Sequence, residues 1–353
     1  MLANNIIPIN EKREKNCEKY DIFDLTKYIL SFFIVAIHTG LFPQILYPWL
    51  RVAVPLFFVI SSFLLFLKIK KNPKDEPMII KKFVIRQLKM YLFWFIILLP
   101  VTILVRKDWF SEGIAIGIYN SIKNTLFSSS FIASWYISAS IWAVLILWKL
   151  SSKIDSKKIT ILCTVLYILC CIRSSYYIRI SHFYIIEKTI YWLEKIFVNP
   201  IFSFPVALFW INLGKLFADG KIKFRNKEYY ALTVISAILL YFEWKLAIKY
   251  EGGYSFDCYF LLFPLVVGIF EFLLKHNISL KNAYTLRKIS VITYPIHASI
   301  ARVLMVLLNK ISNNTNLVSI TCFIIVIITC HLAYFTISKL SGYKKLKFLK
   351  NAY

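Results

Sequence analysis

The chain has 353 residues, 59% of them hydrophobic and 17% charged, with a mean hydropathy of +0.64 and a formal net charge of +25. Apolar runs near the ~20 residues that cross a bilayer recur from end to end, which excludes an ordinary soluble two-domain protein. Their continuity excludes a membrane β-barrel, whose strands alternate apolar and polar; Lys and Arg cluster in loops beside the apolar runs, the pattern of a membrane protein and not of a nucleic-acid surface.

The expected fold is therefore all-α, a polytopic membrane protein with about ten transmembrane helices. Residues 1–20, MLANNIIPINEKREKNCEKY, lack the apolar core of a signal peptide and are expected to form a polar cytoplasmic tail. Spans are expected near 22–41, 48–68, 83–105, 133–150, 159–178, 199–218, 229–249, 256–275, 289–309 and 316–339. They form one domain over 21–341, followed by a basic cytoplasmic tail at 342–353. Segments 112–128, flanked by Glu112, and 185–197, with Glu187, Lys188, Glu194 and Lys195 on one face, have the pattern of helices lying at the interface. Alternate loops differ roughly threefold in Lys and Arg, which places both termini in the cytoplasm. Trp49, Trp109, Trp135, Tyr250 and Tyr254 sit at span ends, as interface belts do. There is no internal repeat.

Cys17, Cys163, Cys170, Cys171, Cys258, Cys322 and Cys330 lie mostly in apolar runs and make no metal-ligand spacing with His, so neither a disulfide framework nor a metal site is expected. No P-loop, GxGxxG, GxSxG, HExxH or CxxC is present, which argues against a nucleotide-driven pump and a serine hydrolase.

The stretch that carries chemistry is Asp24–Phe66, two spans joined by a Pro-marked loop and holding Asp24, Lys27, His38 and Arg51. Ionisable residues at membrane depth are expensive and mark function. On one helix, Lys27 and His38 stand about 16 Å apart. Asp24 is one turn before Lys27 and can pair with it. His38 is a general-base candidate, against a core His bonded to a neighbouring backbone. Arg51 stands at the scarcely charged outer end, against an interface Arg that snorkels, and Pro55 would loosen its helix.

This hairpin resembles the start of the acyltransferase-3 family of integral membrane acyltransferases, the type that O-acetylates bacterial polysaccharides. That family opens with Asp, a basic residue, ten intervening positions and His, here Asp24, Lys27 and His38. A second helix follows with Arg, a small-apolar-Pro stretch, Phe-Phe and Ser-Gly, here Arg51, VAVPLFFVI and Ser61-Ser62. Lys27 replaces the usual Arg, keeping charge but losing the bidentate fork. Ser62 replaces the Gly of close helix approach. Weaker likenesses are Lys82–Tyr91 to a basic segment, Ser134-Trp135-Tyr136 to a Trp-Tyr, and Ser290–His297 to a Ser…Tyr-x-x-His. The resemblance covers the whole chain in architecture and about the first 90 residues in motif detail.

The resemblance implies transfer of an acyl group, commonly acetyl, from acetyl-CoA or another acyl-CoA to a hydroxyl of a cell-surface or lipid-linked glycan, in the cell membrane. The acyl-CoA is a substrate, with no permanently bound cofactor, no metal and no nucleic acid. His38 would be the catalytic base or carry the acyl group, with Asp24 orienting Lys27. Lys27, Arg86 and Lys89 would meet coenzyme A phosphates. Arg51 would hold acceptor or thioester, with Ser61, Trp135, Tyr136 and His297 as further binding positions. His297, two residues past Pro295, has a cavity-lining and a structural reading. His182 and His276 look like loop residues and His331 like packing. Glu243 with Lys245 has the look of an internal or interface pair, Glu271 with Lys275 that of a helix-end pair. Gly113-x-x-x-Gly117 is too common a pattern to mark a dimer face. The competing readings are a transporter or flippase for a lipid-linked glycan or small anion, and a membrane sensor or anchor. Weak internal symmetry and paired broken helices would favour the transporter, and neither is visible.

Overall fold

The computed structural model describes residues 20–106, 110–111, 113–250, 252–276 and 278–353. The expected tail at 1–20, apart from Tyr20, lies outside the described residues, as do Cys17, Trp109 and Glu112. The fold is all-α. The helices are α1 (Asp21–Thr39), α2 (Ala53–Lys71), α3 (Glu76–Val105), α4 (Ile114–Phe127), α5 (Trp135–Ser151) and α6 (Ser156–Cys171). They continue with α7 (Tyr184–Phe197), α8 (Phe204–Asp219), α9 (Glu228–Lys249), α10 (Leu262–Lys275), α11 (Ala283–Leu308) and α12 (Thr315–Leu340).

Among the described residues, seven helical segments are long and apolar enough to cross a membrane: those containing α1, α2, α3, α6, α9, α11 and α12. The remaining three expected spans form the shorter helices α5, α8 and α10, of 17, 16 and 14 residues. Of the two expected interface helices, α4 and α7 are amphipathic and leave Ile114, Ile118, Ile185 and Trp192 exposed.

Shortness and burial go together. α8 is apolar on all sides because it is the inner helix, packed against α2, α5 and α6. In contrast, α3, α9 and α12 each keep a row of Ile and Leu exposed, such as Ile96, Ile235 and Leu332, for contact with lipid chains. Close packing of α8 on α2 depends on Gly214. A Cβ there would sit 2.0 Å from Ser62 Oγ and 2.5 Å from the Val59 carbonyl oxygen. The glycine of close approach expected at Ser62 is thus supplied by the facing helix.

The helix α1 lies beside both α11 and α2. It runs parallel to α11, since Asp24 faces Arg287 near the start of both helices and His38 faces His297 further along. α11 continues through Pro295 as one helix. Pro55 falls in the first turn of α2, where no intrahelical amide bond is lost, so it does not open the helix as expected. The basic C-terminal segment Lys344–Ala352 is docked: the Trp94 indole donates to the Ala352 carbonyl at 3.0 Å.

Replacing Gly214 by Ala should destabilise the folded protein by about 1–3 kcal/mol through overpacking. A thermal unfolding midpoint in detergent lower than that of the wild type checks this; an unchanged midpoint would contradict the packing described.

Candidate active site

His38 stands in the last turn of α1. Gly40 ends the helix two residues later in the left-handed conformation (φ 65°), which glycine adopts without strain, and its N–H bonds back to Ala36. The His38 side chain is accessible and lies on the wall of two cavities, of about 490 and 360 Å³.

His297 is fully buried, and its ring stands 4.9 Å from that of His38, tilted by 60°. Its Nδ1 lies 2.6 Å from the Tyr294 carbonyl and 3.1 Å from that of Thr293. A carbonyl can only accept, so Nδ1 carries the proton and Nε2 is left as an acceptor. That Nε2 is buried and has no hydrogen-bond partner. Tyr294 in turn donates from its hydroxyl to Ala133 and accepts from the Tyr136 amide, which ties α11 to the start of α5.

The larger cavity has a polar and an aromatic side. Arg51 and Asp257 form an ion pair on its wall, near Asn124 and Asn199. Trp135, Phe58 and Phe202 form the aromatic wall, with Trp135 5.8 Å from Phe58 and 5.5 Å from Phe202 between ring centres. Arg51 is therefore a paired cavity residue and does not snorkel.

Asp257 is placed by a chain of contacts in the loop before α10. A π-turn at Ile172–Tyr176 turns out the Ser174 carbonyl, which accepts from the amides of Tyr254 and Ser255, while Ser174 Oγ accepts from those of Asp257 and Cys258. Gly253 permits this approach, since a Cβ there would fall 2.3 Å from the Ser174 oxygen. The Glu243 carboxylate accepts from the amides of Phe260 and Leu261 at 2.7 and 2.9 Å and from the Tyr176 hydroxyl. The expected Glu243–Lys245 pair is replaced by this anchor: residues two apart on a helix do not face each other.

The other end of α1 carries a cationic cluster. Lys27 Nζ donates to Ser61 Oγ at 3.0 Å, and Ser61 lies 3.3 Å from the Tyr136 hydroxyl, which donates to the Phe57 carbonyl at 3.2 Å. Asp24 does not pair with Lys27 as expected; its carboxylate lies 3.8 Å from Arg287 of α11. Asp24, Arg86 and Arg287 are all within electrostatic reach of Lys27. Arg86 and Lys89, one turn apart on α3, are exposed. Asp24 and His38 are separated by about 21 Å along α1, so Asp24 belongs to the cluster and does not touch the histidines.

Arg287 thus joins the candidate site, beside Asp24 and Lys27, and sequence reading missed it. The signal was present, since Arg287 precedes His297 by ten residues as Lys27 precedes His38 by eleven. Trp135 and Tyr136 part ways, the first onto the cavity wall and the second toward Ser61. His331 is not mere packing: Tyr28 Oη lies 2.9 Å from its Nε2. His276 caps α10 and meets the Tyr230 hydroxyl at 2.9 Å. The Glu271–Lys275 pair forms as expected, at 3.3 Å.

These features define a multi-pass helical membrane protein whose bundle holds a histidine-walled cavity and, at the other end of the helix that carries His38, a cationic cluster. A family model described as an acyltransferase domain matches residues 20–335, and the chain belongs to that family, acyltransferase-3. An amino-acid racemase from Enterococcus faecalis is 28% identical over 277 residues, covering 73% of this chain and 36% of the racemase. The chain thus spans about a third of the length of the curated relative it matches. No solved structure matches it.

Removing the Glu243 carboxylate, as in Glu243→Ala, should speed hydrogen exchange at the Phe260 and Leu261 amides about 10- to 100-fold, the range expected for loss of a charged acceptor. Exchange unchanged at these amides in the folded variant would show that the loop is held by other contacts.

Proposed function

We propose that this protein moves an acyl group, acetyl, from a coenzyme A thioester to a hydroxyl of a cell-surface or lipid-linked glycan. It would do so in the cell membrane with both termini cytoplasmic. The observation that carries this reading is the pairing of an accessible cavity histidine with a cation cluster from three helices, centred on Lys27 at the other end of the same helix. Their axial spacing of about 16 Å suits a donor whose phosphates and thioester are separated by an extended pantetheine arm.

In this reading Lys27, Arg86 and Arg287 hold the donor phosphates, with Lys89 at the rim and Asp24 orienting Arg287. Arg51, Asp257 and Trp135 bind the acceptor glycan, Trp135 by its apolar face and the ion pair by hydrogen bonds to hydroxyls. Ser61 and Tyr136 hold Lys27 in place. His38 removes the acceptor proton while the oxygen attacks the thioester carbonyl. The C–S bond then breaks, and the proton passes from His38 to the departing sulfur. His297, with Nδ1–H held by Tyr294, offers its Nε2 to the second N–H of His38 and stabilises the imidazolium. That is the orienting role of a third group in nucleophile–base systems.

His38→Ala should lower labelled acetyl transfer into glycan about 10²- to 10⁴-fold in membranes that retain the protein. Undiminished transfer would sink the mechanism. No transfer by folded wild type across a range of acyl donors, with the native glycan present, would favour a transporter. His297→Gln, which keeps an acceptor atom, should lower kcat less than His297→Ala and leave the donor KM unchanged. A change in KM alone would assign His297 to packing.

Arg287→Gln should raise the KM for acetyl-CoA while leaving that for S-acetylpantetheine, which lacks the phosphates, unchanged. Equal effects on both donors would remove Arg287 from the phosphate site.

A further inference from the structure

The basic segment Lys344–Ala352 follows α12 and folds as a 3-10 helix of nine residues. Three residues make one turn of such a helix, so side chains at i and i+3 stand above one another. This sorts KKLKFLKNA into three ridges. Leu346, Leu349 and Ala352 form the first, which turns toward the bundle: the leucines are half-buried and Ala352 is fully buried. Lys344, Lys347 and Lys350 form the second, and all three are exposed. On the third, Lys345 and Phe348 are exposed, ahead of Asn351. The segment holds no Asp or Glu, and among the described residues none of its lysines pairs with a carboxylate.

The segment packs against α12 and α3. Its far end is fastened by the Trp94 indole, which donates to the Ala352 carbonyl, and by Lys288 of α11, whose Nζ lies 4.2 Å from the centre of the Tyr353 ring. Lys288 is near the start of α11, and α12 returns to the same side after one short loop. The segment therefore crosses the bundle where α11 begins and α12 ends, at the level of one membrane surface. The exposed apolar row of α12, with Leu332 and Phe335, runs up to this level.

A row of ammonium groups about 12 Å long meets several anions side by side better than one. A leaflet of acidic phospholipid presents such anions at this level, and the Phe348 ring beside the row suits the boundary between headgroups and acyl chains. A free phosphate offers the same row a single centre of charge, screened by salt and water on its open side. We propose that Lys344, Lys347 and Lys350, with Phe348 beside them, form a docking surface for the headgroups of acidic phospholipids. The apolar ridge holds the segment to the bundle, and the lysine ridge holds it to the leaflet.

The test is amine acetylation of the full chain in nanodiscs of phosphatidylcholine and in discs where a third of the lipid is phosphatidylglycerol, read at Lys344, Lys347 and Lys350 by peptide mass spectrometry. Rates are taken relative to Lys153, exposed in the loop between α5 and α6, so that the general effect of a charged disc cancels. Relative labelling of the three lysines should slow about fivefold in the acidic discs and recover at high salt. Equal relative rates in both discs overturn the proposal. So does equal protection in neutral discs by inorganic pyrophosphate or by polyglutamate, which would assign the ridge to a soluble anion or to an acidic protein segment. As a second measurement, the combined variant Lys344→Gln, Lys347→Gln, Lys350→Gln should retain fewer phosphatidylglycerol molecules than wild type in native mass spectrometry of protein released from the acidic discs. All three side chains are exposed, so the variant keeps the fold; equal retention also overturns the proposal. No acyl donor is present, so failure here leaves acyl transfer standing, and failure of acyl transfer leaves this result standing.

Discussion

The parallel packing of α1 against α11 is the constraint on which the site depends. One pair of neighbouring helices brings Asp24 to Arg287 at one end and His38 to His297 at the other. Parallel neighbours that lie far apart in sequence need an even number of crossings between their entrances, so the remaining helices act as the connection that makes this possible. The inner helix α8 then backs the arrangement through α2, where Gly214 removes the side chain that would hold the two helices apart.

Charge inside an apolar bundle has to be answered locally, and each charged residue of the site is answered differently. Asp24 meets Arg287 across helices, while Lys27 meets the hydroxyl of Ser61. Arg51 meets Asp257, and Glu243 meets two backbone amides and a tyrosine. Removing one partner of such a pair costs more than the pair contributes, because the other is left buried and uncompensated. The pairs therefore specify geometry more than they add stability. Asp257 shows this well: the π-turn at Ser174 and the carboxylate of Glu243 fix the loop that carries it, and neither lines the cavity itself.

The histidine pair follows the same logic at shorter range. His297 spends its donor on a backbone carbonyl of its own helix, which leaves an acceptor beside His38 that nothing satisfies. A buried orphan acceptor is unusual in a protein interior. Its placement next to an accessible imidazole links the local chemistry of α11 to the work expected of α1.

Much of this was legible in the chain itself. Hydropathy alone determined an all-α membrane bundle, because a bilayer accepts only backbones that satisfy themselves. The spacing from Asp24 through Lys27 to His38, which one helix sets, with Arg51 beyond, marked residues of the candidate site and carried the resemblance to the acyltransferase-3 family. The partners were decided only by the tertiary structure. Asp24 took Arg287 instead of Lys27, Arg51 took Asp257, Glu243 took the loop before α10, and His331 took Tyr28. Helical periodicity reaches only three or four residues along the chain. The choice among partners from under twenty to some three hundred residues away is made by which helices pack side by side, and in which direction they run.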